Sequence, residues 1–233
     1  MIQLHSFGTN FGVMDPSPFV VKVDLFLRVA KLPYEVITGS VDSLKISPKN
    51  KLPFIEDKGV QVGDSTFILD YLTKTYQIEI DNFLTKEQQA NAHLMGKSLD
   101  ESLYWCLVYS RWLKEDTWPL LREAFFGNMP ALLKLFVPNV IRKSVKKNLY
   151  GQGLGRHSES EIQAIAKQSF LSLSVLLGEK SYFFGEQISS FDVTVYAHLS
   201  EFITVDFSNE FNELARSYPN LIEFCRRIEK QYY

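Results

Sequence analysis

The sequence predicts an α/β unit followed by an all-helical one. Up to about residue 80, short alternating apolar runs are interleaved with helical spacings; from residue 86 onward the pattern is almost wholly helical. Composition supplies a core for both parts. Of 233 residues 45% are hydrophobic, 14% aromatic and 22% charged, which excludes a disordered or fibrous chain. Lys and Arg total 25 against 27 Asp and Glu, so the formal net charge is −2 and no nucleic-acid partner is expected.

Ile2, Leu4 and Ser6 alternate as a first strand. A turn-rich loop, Gly8 to Pro16, leads to Ser17-Pro18. Ser17 suits an N-cap and Pro18 the first helical position. Phe19, Val20, Val23, Phe26, Leu27 and Ala30 then recur at helical spacing. Tyr34 to Ile37 reads as a second strand, followed by an irregular stretch ending at Ser47-Pro48-Lys49-Asn50-Lys51-Leu52-Pro53. Phe54–Glu56 and Val60–Val62 form a hairpin turned at Asp57-Lys58-Gly59. Ser65 caps a helix to about Tyr76, and 77–85 is a connector. One long helix is expected over 86–113. Others are expected over 117–127, 130–149 (broken at Pro138), 159–178, 190–204 and 209–217, and after Pro219.

Three junctions in the first part carry chemistry. A hydroxyl at the helix start Asp15-Pro16-Ser17-Pro18, among unpaired backbone N–H groups, suits a thiolate or other anion. Pro53 enters a strand; if its peptide bond is cis, the Leu52 backbone turns outward toward an extended peptide. Gly63-Asp64-Ser65 offers a carboxylate, a hydroxyl and free N–H groups, which can hold an α-amino acid group at both its charges. In the helical part, Ser189-Ser190-Phe191-Asp192 reads as a capping box.

In order and spacing these features resemble the glutathione transferase superfamily. Residues 47–53 follow its pattern Asn-Pro-x-Gly-x-Val-Pro with Ser and Asn substituted. Asp64-Ser65 matches the acidic-Ser pair that holds the γ-glutamyl group, and Ser189 to Asp192 matches the Ser/Thr-x-x-Asp box of the superfamily's buried helix. Ser17-Pro18-Phe19 with Lys22-Val23, the run Leu149 to Ser158, and Tyr182-Phe183-Phe184-Gly185-Glu186 resemble the metaxin-like branch and its "failed axon connections" proteins. Val20 stands where that branch often carries Cys, so no thiol chemistry carries over to that position. Eukaryotic members of the branch include membrane-associated proteins.

The resemblance implies a thioredoxin-like domain over 1–78, with a mixed four-stranded sheet and a cis Pro53, docked on an all-helical domain over 86–233. It implies glutathione as co-substrate and no metal. Leu52, Pro53, Asp64, Ser65 and Lys51 would hold the tripeptide and Ser17 would stabilise its thiolate. Phe11 in the loop 8–16, with Tyr104, Tyr109 and Trp112, would line a second site for a small electrophile. A homodimer is implied as well. The alternative is a non-catalytic scaffold with the same fold.

Each residue also has a plainer role open to it. Ser17 can be only an N-cap, and Asp15, two residues away, would repel a thiolate unless it points elsewhere. Asp64 and Ser65 can serve only to start a helix, and Lys49 and Lys51 can be solvated. Gly151 to Gly155 reads as a tight interhelical turn rather than a phosphate loop, with Ser158 capping the next helix through Glu161. Residues 130–150 hold Lys134, Arg142, Lys143, Lys146 and Lys147, many apolar residues and no acidic one. Such a segment can lie on an anionic membrane, bind an acidic partner, or be an ordinary half-buried helix. The four histidines show no metal-ligand spacing, and Cys106 and Cys225 lie on apolar faces. The two cysteines fit a reducing compartment. With no leader pattern and no bilayer-length apolar run, the expectation is a soluble, cytoplasmic protein.

Overall fold

The computed structural model describes residues 1–39 and 41–233. Four strands form one mixed sheet in the order β2-β1-β3-β4. Strand β1 (Ile2–Ser6) runs parallel to β2 (Tyr34–Thr38) and antiparallel to β3 (Phe54–Asp57), which turns into β4 (Val60–Gly63). Lys58 and Gly59 both have positive φ, 51° and 82°, as a two-residue hairpin turn matched to strand twist demands. Helices α1 (Pro18–Val29) and α3 (Ser65–Tyr76) pack on the sheet and on each other. The stretch before Ser47, expected to be irregular, carries a short helix, α2 (Val41–Ile46); Ser40 lies outside the described residues.

The remainder is helical: α4 (Lys86–Ser98), α5 (Tyr104–Trp112), α6 (Trp118–Phe126), α7 (Ala131–Gln152), α8 (Glu159–Leu177), α9 (Ser190–Ile203), α10 (Glu210–Arg216) and α11 (Pro219–Tyr232). Every residue of α9 from Phe191 to Ile203 is buried, and this helix faces α1, α10 and α11. Its start is fixed by the expected capping box. The Ser189 N–H donates to Asp192 at 2.8 Å, the Asp192 N–H donates to Ser189 Oγ at 3.4 Å, and the Phe183 N–H also donates to Asp192 at 2.8 Å. The connector is tied to the same helix start, where Asp81 accepts from the Ser190 N–H at 2.8 Å and hydroxyl at 2.5 Å. A carboxylate at an N-terminus is favoured by the unpaired N–H groups there.

Two expectations about the long helices change. Residues 86–112 are not one regular α-helix: a π-type turn, Leu99–Leu103, separates α4 from α5 and turns Asp100 into the interior. Helix α7 is not broken at Pro138. Proline has no N–H for the carbonyl four residues back, and here the Arg122 guanidinium of α6 donates to that Lys134 carbonyl at 3.1 Å. The freed acceptor is thus satisfied from outside the helix. The Gly-rich run is also less of a turn than expected. Helix α7 continues through Gln152, and a 3₁₀ turn, Leu154–Arg156, makes the link to the Ser158–Glu161 capping box.

Candidate functional site

The sheet register gathers three chain segments at one end. His5 and Gly63 both lie opposite Phe54, so the end of β1, the start of β3 and the end of β4 are neighbours. The first leads through the loop into Ser17, the second is Leu52-Pro53 and the third is Asp64-Ser65. The Leu52–Pro53 bond is cis. The loop before it is clasped by Ser47, whose hydroxyl donates to the Lys51 carbonyl at 2.5 Å and accepts from the Lys51 N–H at 3.3 Å. The Lys51 side chain is exposed.

The helix at Ser65 is capped by Asp64, not by Ser65 as expected. Asp64 accepts from the Thr66 N–H at 3.0 Å, and Ser65 is the first helical residue, with only 5% of its surface exposed. Asp64 sits at φ 83°, ψ 124°, a region that non-glycine residues rarely occupy. Its second oxygen lies 3.9 Å from Lys49 Nζ, which in turn lies over the Phe67 ring. Lys97 of α4 reaches the same helix start at Thr66 Oγ1, 3.4 Å away.

Ser17 is half-buried and stands at the N-cap position of α1, yet its side chain makes no capping hydrogen bond. Its backbone is held from both sides. Asp15, fully buried, accepts from the N–H groups of Ser17 (2.8 Å), Phe7 (2.7 Å) and Gly8 (3.1 Å). The carboxylate is therefore turned into the interior and taken up by backbone donors. Burial pushes its pKa up to about 8, against the pull of those N–H donors, which removes most of the expected repulsion at neutral pH. From the helical part, Arg111 donates to the Pro16 carbonyl at 2.8 Å and to Glu201 at 2.6 Å. Burial pushes Glu201 up to about 7, while Arg111 opposes the shift.

The residues expected to line a second site do not all meet. The Phe11 ring lies among Phe125, Phe207 and the Arg111 guanidinium, and Trp112 lies against Phe125 and Trp118. Tyr104 packs on Phe19, two residues after Ser17. Tyr109 does not join them: it is on another face of α5, with its ring by Phe211 and its hydroxyl donating to Glu159 at 3.4 Å. Its offset of about 140° from Tyr104 on a helical wheel is the reason.

Several residues here were missed by sequence reasoning: Arg111, Glu201, Phe125, and a buried cluster formed by Lys22, Asp100 and His198. Asp100 stands 3.6 Å from both Lys22 Nζ and His198 Nε2, joining α1 to the π-type turn and α9. A signal existed in the fact that Glu201 and Asp192 are the only acidic residues in a helix that has no Lys or Arg. Among the described residues no group of three potential ligands stands where it could hold a metal.

Against known proteins, residues 18–117 match the model of the glutathione S-transferase N-terminal domain and residues 166–228 that of the C-terminal domain. The chain belongs to the glutathione transferase superfamily. Within it, similarity runs to both an enzyme and the metaxin-like branch. The isoprene-epoxide–glutathione S-transferase of Rhodococcus sp. is 28% identical over all of this chain and 99% of its own length. Metaxin-2 of Homo sapiens is 27% identical over 91% of this chain and 80% of its own. Failed axon connections of Drosophila melanogaster is 28% identical over 98% of this chain, which spans 57% of that longer protein. Among solved structures, the β-etherase LigF of Sphingobium sp. superposes with a TM-score of 0.68 at 19% identity, covering 98% of this chain and 94% of its own. The glutathione S-transferase of Ceriporiopsis subvermispora, in complex with glutathione, gives 0.67 at 18%, covering 100% and 98%.

This kinship corrects one expectation. The chain's metaxin and failed-axon-connections relatives belong to the branch with membrane-associated members, which conflicts with a simply cytoplasmic placement. Among the described residues no helix is long and apolar enough to cross a membrane.

Proposed function

We propose that the chain binds glutathione through residues 1–78 and presents its thiolate to a small electrophile. The observation that carries this is the meeting, at one end of the sheet, of the cis Leu52–Pro53 strand start, the constrained Asp64 beside Ser65, and Ser17 with a hydroxyl not used for capping. In this reading the Leu52 main chain pairs with the peptide backbone of glutathione. Asp64 takes the γ-glutamyl ammonium, Ser65 its carboxylate, and Lys51 the glycyl carboxylate. The Ser17 hydroxyl donates to the sulfur. A thiol of pKa about 8.5 is roughly 3% ionised at pH 7, and a one-unit fall raises this to roughly 24%. The protein supplies orientation and thiolate stabilisation; glutathione supplies the nucleophile.

Phe11, Phe125 and Trp112 offer an apolar wall for the electrophile. The similarity to an isoprene-epoxide transferase makes a small epoxide the first candidate. The sulfur would form a bond to an epoxide carbon, the C–O bond would break, and the oxygen would take a proton from water. Exposed Phe67 on α3 and Leu94 on α4 suit the contact face of a homodimer, which light scattering tests.

Calorimetry with glutathione and turnover of a small epoxide test the reading. Wild type should bind at millimolar ligand and turn over. Ser17→Ala should keep binding and lose about a hundredfold in kcat, as expected for one lost donor to a developing anion. An unchanged rate would remove Ser17 from its role, and no heat would remove the site. A second reading, a non-catalytic scaffold of the same fold, is favoured by the near-complete burial of Ser65, which leaves little of its hydroxyl for a ligand. It predicts neither heat nor turnover.

A further inference from the structure

Helix α7 carries a surface that the glutathione site does not use. Its outer line runs through Leu132, Phe136, Val140, Lys143, Lys147 and Tyr150, three or four residues apart and all exposed. The first half is apolar. Leu132, Phe136 and Val140 are 72%, 65% and 66% exposed, and Leu133 and Leu135 stand exposed beside them. The second half is basic, with Lys143, Lys146 and Lys147 in solvent and no acidic residue anywhere in 130–150. Arg142 is not part of this face: it is bound to Glu115 and to the Trp112 and Leu113 carbonyls. Pro138 and Leu149 occupy the buried side.

We propose that this face of α7 docks on an anionic lipid surface, the apolar half dipping among the acyl chains and the lysines resting against the headgroup phosphates. The order of the two chemistries along one helix argues for that occupant. The centres of the halves are about ten residues, roughly 15 Å, apart. A bilayer places an apolar layer directly beneath an anionic one at that scale, so a shallow tilt satisfies both halves. A second copy of the chain fits poorly. Paired in parallel, lysines would face lysines; paired antiparallel, they would face leucines.

Flotation of the full chain with vesicles tests the proposal. Binding is expected to phosphatidylcholine mixed with phosphatidylserine, not to phosphatidylcholine alone, and it should weaken as salt is raised. Lys143→Gln, Lys146→Gln and Lys147→Gln together should weaken binding about a hundredfold, at about fivefold per lysine. Leu132→Ser with Phe136→Ser should weaken it at least about tenfold while leaving the melting temperature near wild type, since both side chains already face solvent. Four outcomes overturn the proposal: no flotation, equal flotation on uncharged vesicles, lysine variants that bind like wild type, or binding of polyglutamate without binding of vesicles. Conversion of a dimer to a monomer by the serine pair would assign the face to a second copy instead.

Discussion

Asp64 occupies a backbone conformation that glycine adopts freely and aspartate does not. Holding it there costs on the order of 1–3 kcal/mol, and replacing an N-cap aspartate by glycine costs only a few tenths. Asp64→Gly is therefore expected to leave stability within about 1 kcal/mol of wild type, once the extra freedom of the unfolded glycine is included. The same change should lower glutathione affinity at least about tenfold. Urea unfolding and calorimetry measured together separate the two effects, and unchanged affinity would leave Asp64 a helix cap alone. His198 makes a second residue-scale case. Burial pushes its pKa from 6.5 down to about 4. Between those values the unfolded chain holds a proton that the folded chain refuses, so stability is full above 6.5 and is lost as pH falls toward 4. His198→Gln should remove that loss, on the order of 3 kcal/mol. If urea midpoints of both proteins fall equally between pH 7 and 4.5, this account of His198 fails.

Among the elements, α7 shows how a local rule is overridden. Pro138 predicts a break, and the helix nevertheless continues because Arg122 on α6 satisfies the Lys134 carbonyl. The two residues should therefore be coupled. Arg122→Ala is expected to cost about 1 kcal/mol. With Pro138→Ala, which restores an N–H inside the helix, it should cost close to nothing; the double-mutant cycle measures this directly. Apart from the short α2, element identity was otherwise readable from periodicity and caps. Ser158-x-x-Glu161 and Ser189-x-x-Asp192 mark the starts of α8 and α9 because the reciprocal bonds are local. The π-type turn at 99–103 was not readable. It exists because Asp100 meets Lys22 and His198, which are far away in sequence.

At the scale of the molecule, the sheet unit and the helical unit are joined by buried charge as well as by apolar packing. Arg111 reaches from α5 to both the Pro16 carbonyl and Glu201, and so fixes the loop that ends at Ser17. Arg28 of α1 donates to the Tyr232 carbonyl at 3.1 Å and lies over the Tyr233 ring. Arg111→Met should destabilise the fold by about 3–5 kcal/mol, because it strands Glu201 in the interior. The cost should shrink toward pH 5, where Glu201 is protonated, and Arg111→Met with Glu201→Leu should recover most of it. Urea titrations at pH 8 and pH 5 check both points; a pH-independent cost would mean that Glu201 does not carry the effect. The loss of loop order should also appear as a rise in KM for glutathione.

The strands, the helices and the three motif junctions are properties of the sequence, since alternation, capping and proline act within a few residues. So is the superfamily, whose motifs are local patterns in a given order. Tertiary structure decided which of the expected residues lie together: it grouped Phe11 and Trp112 through Phe125 and sent Tyr109 to another face. It also turned Asp15 inward and placed Arg111 behind Ser17. Those outcomes depend on groups tens of residues apart competing for the same buried space and the same hydrogen bonds, and no short-range pattern records that competition.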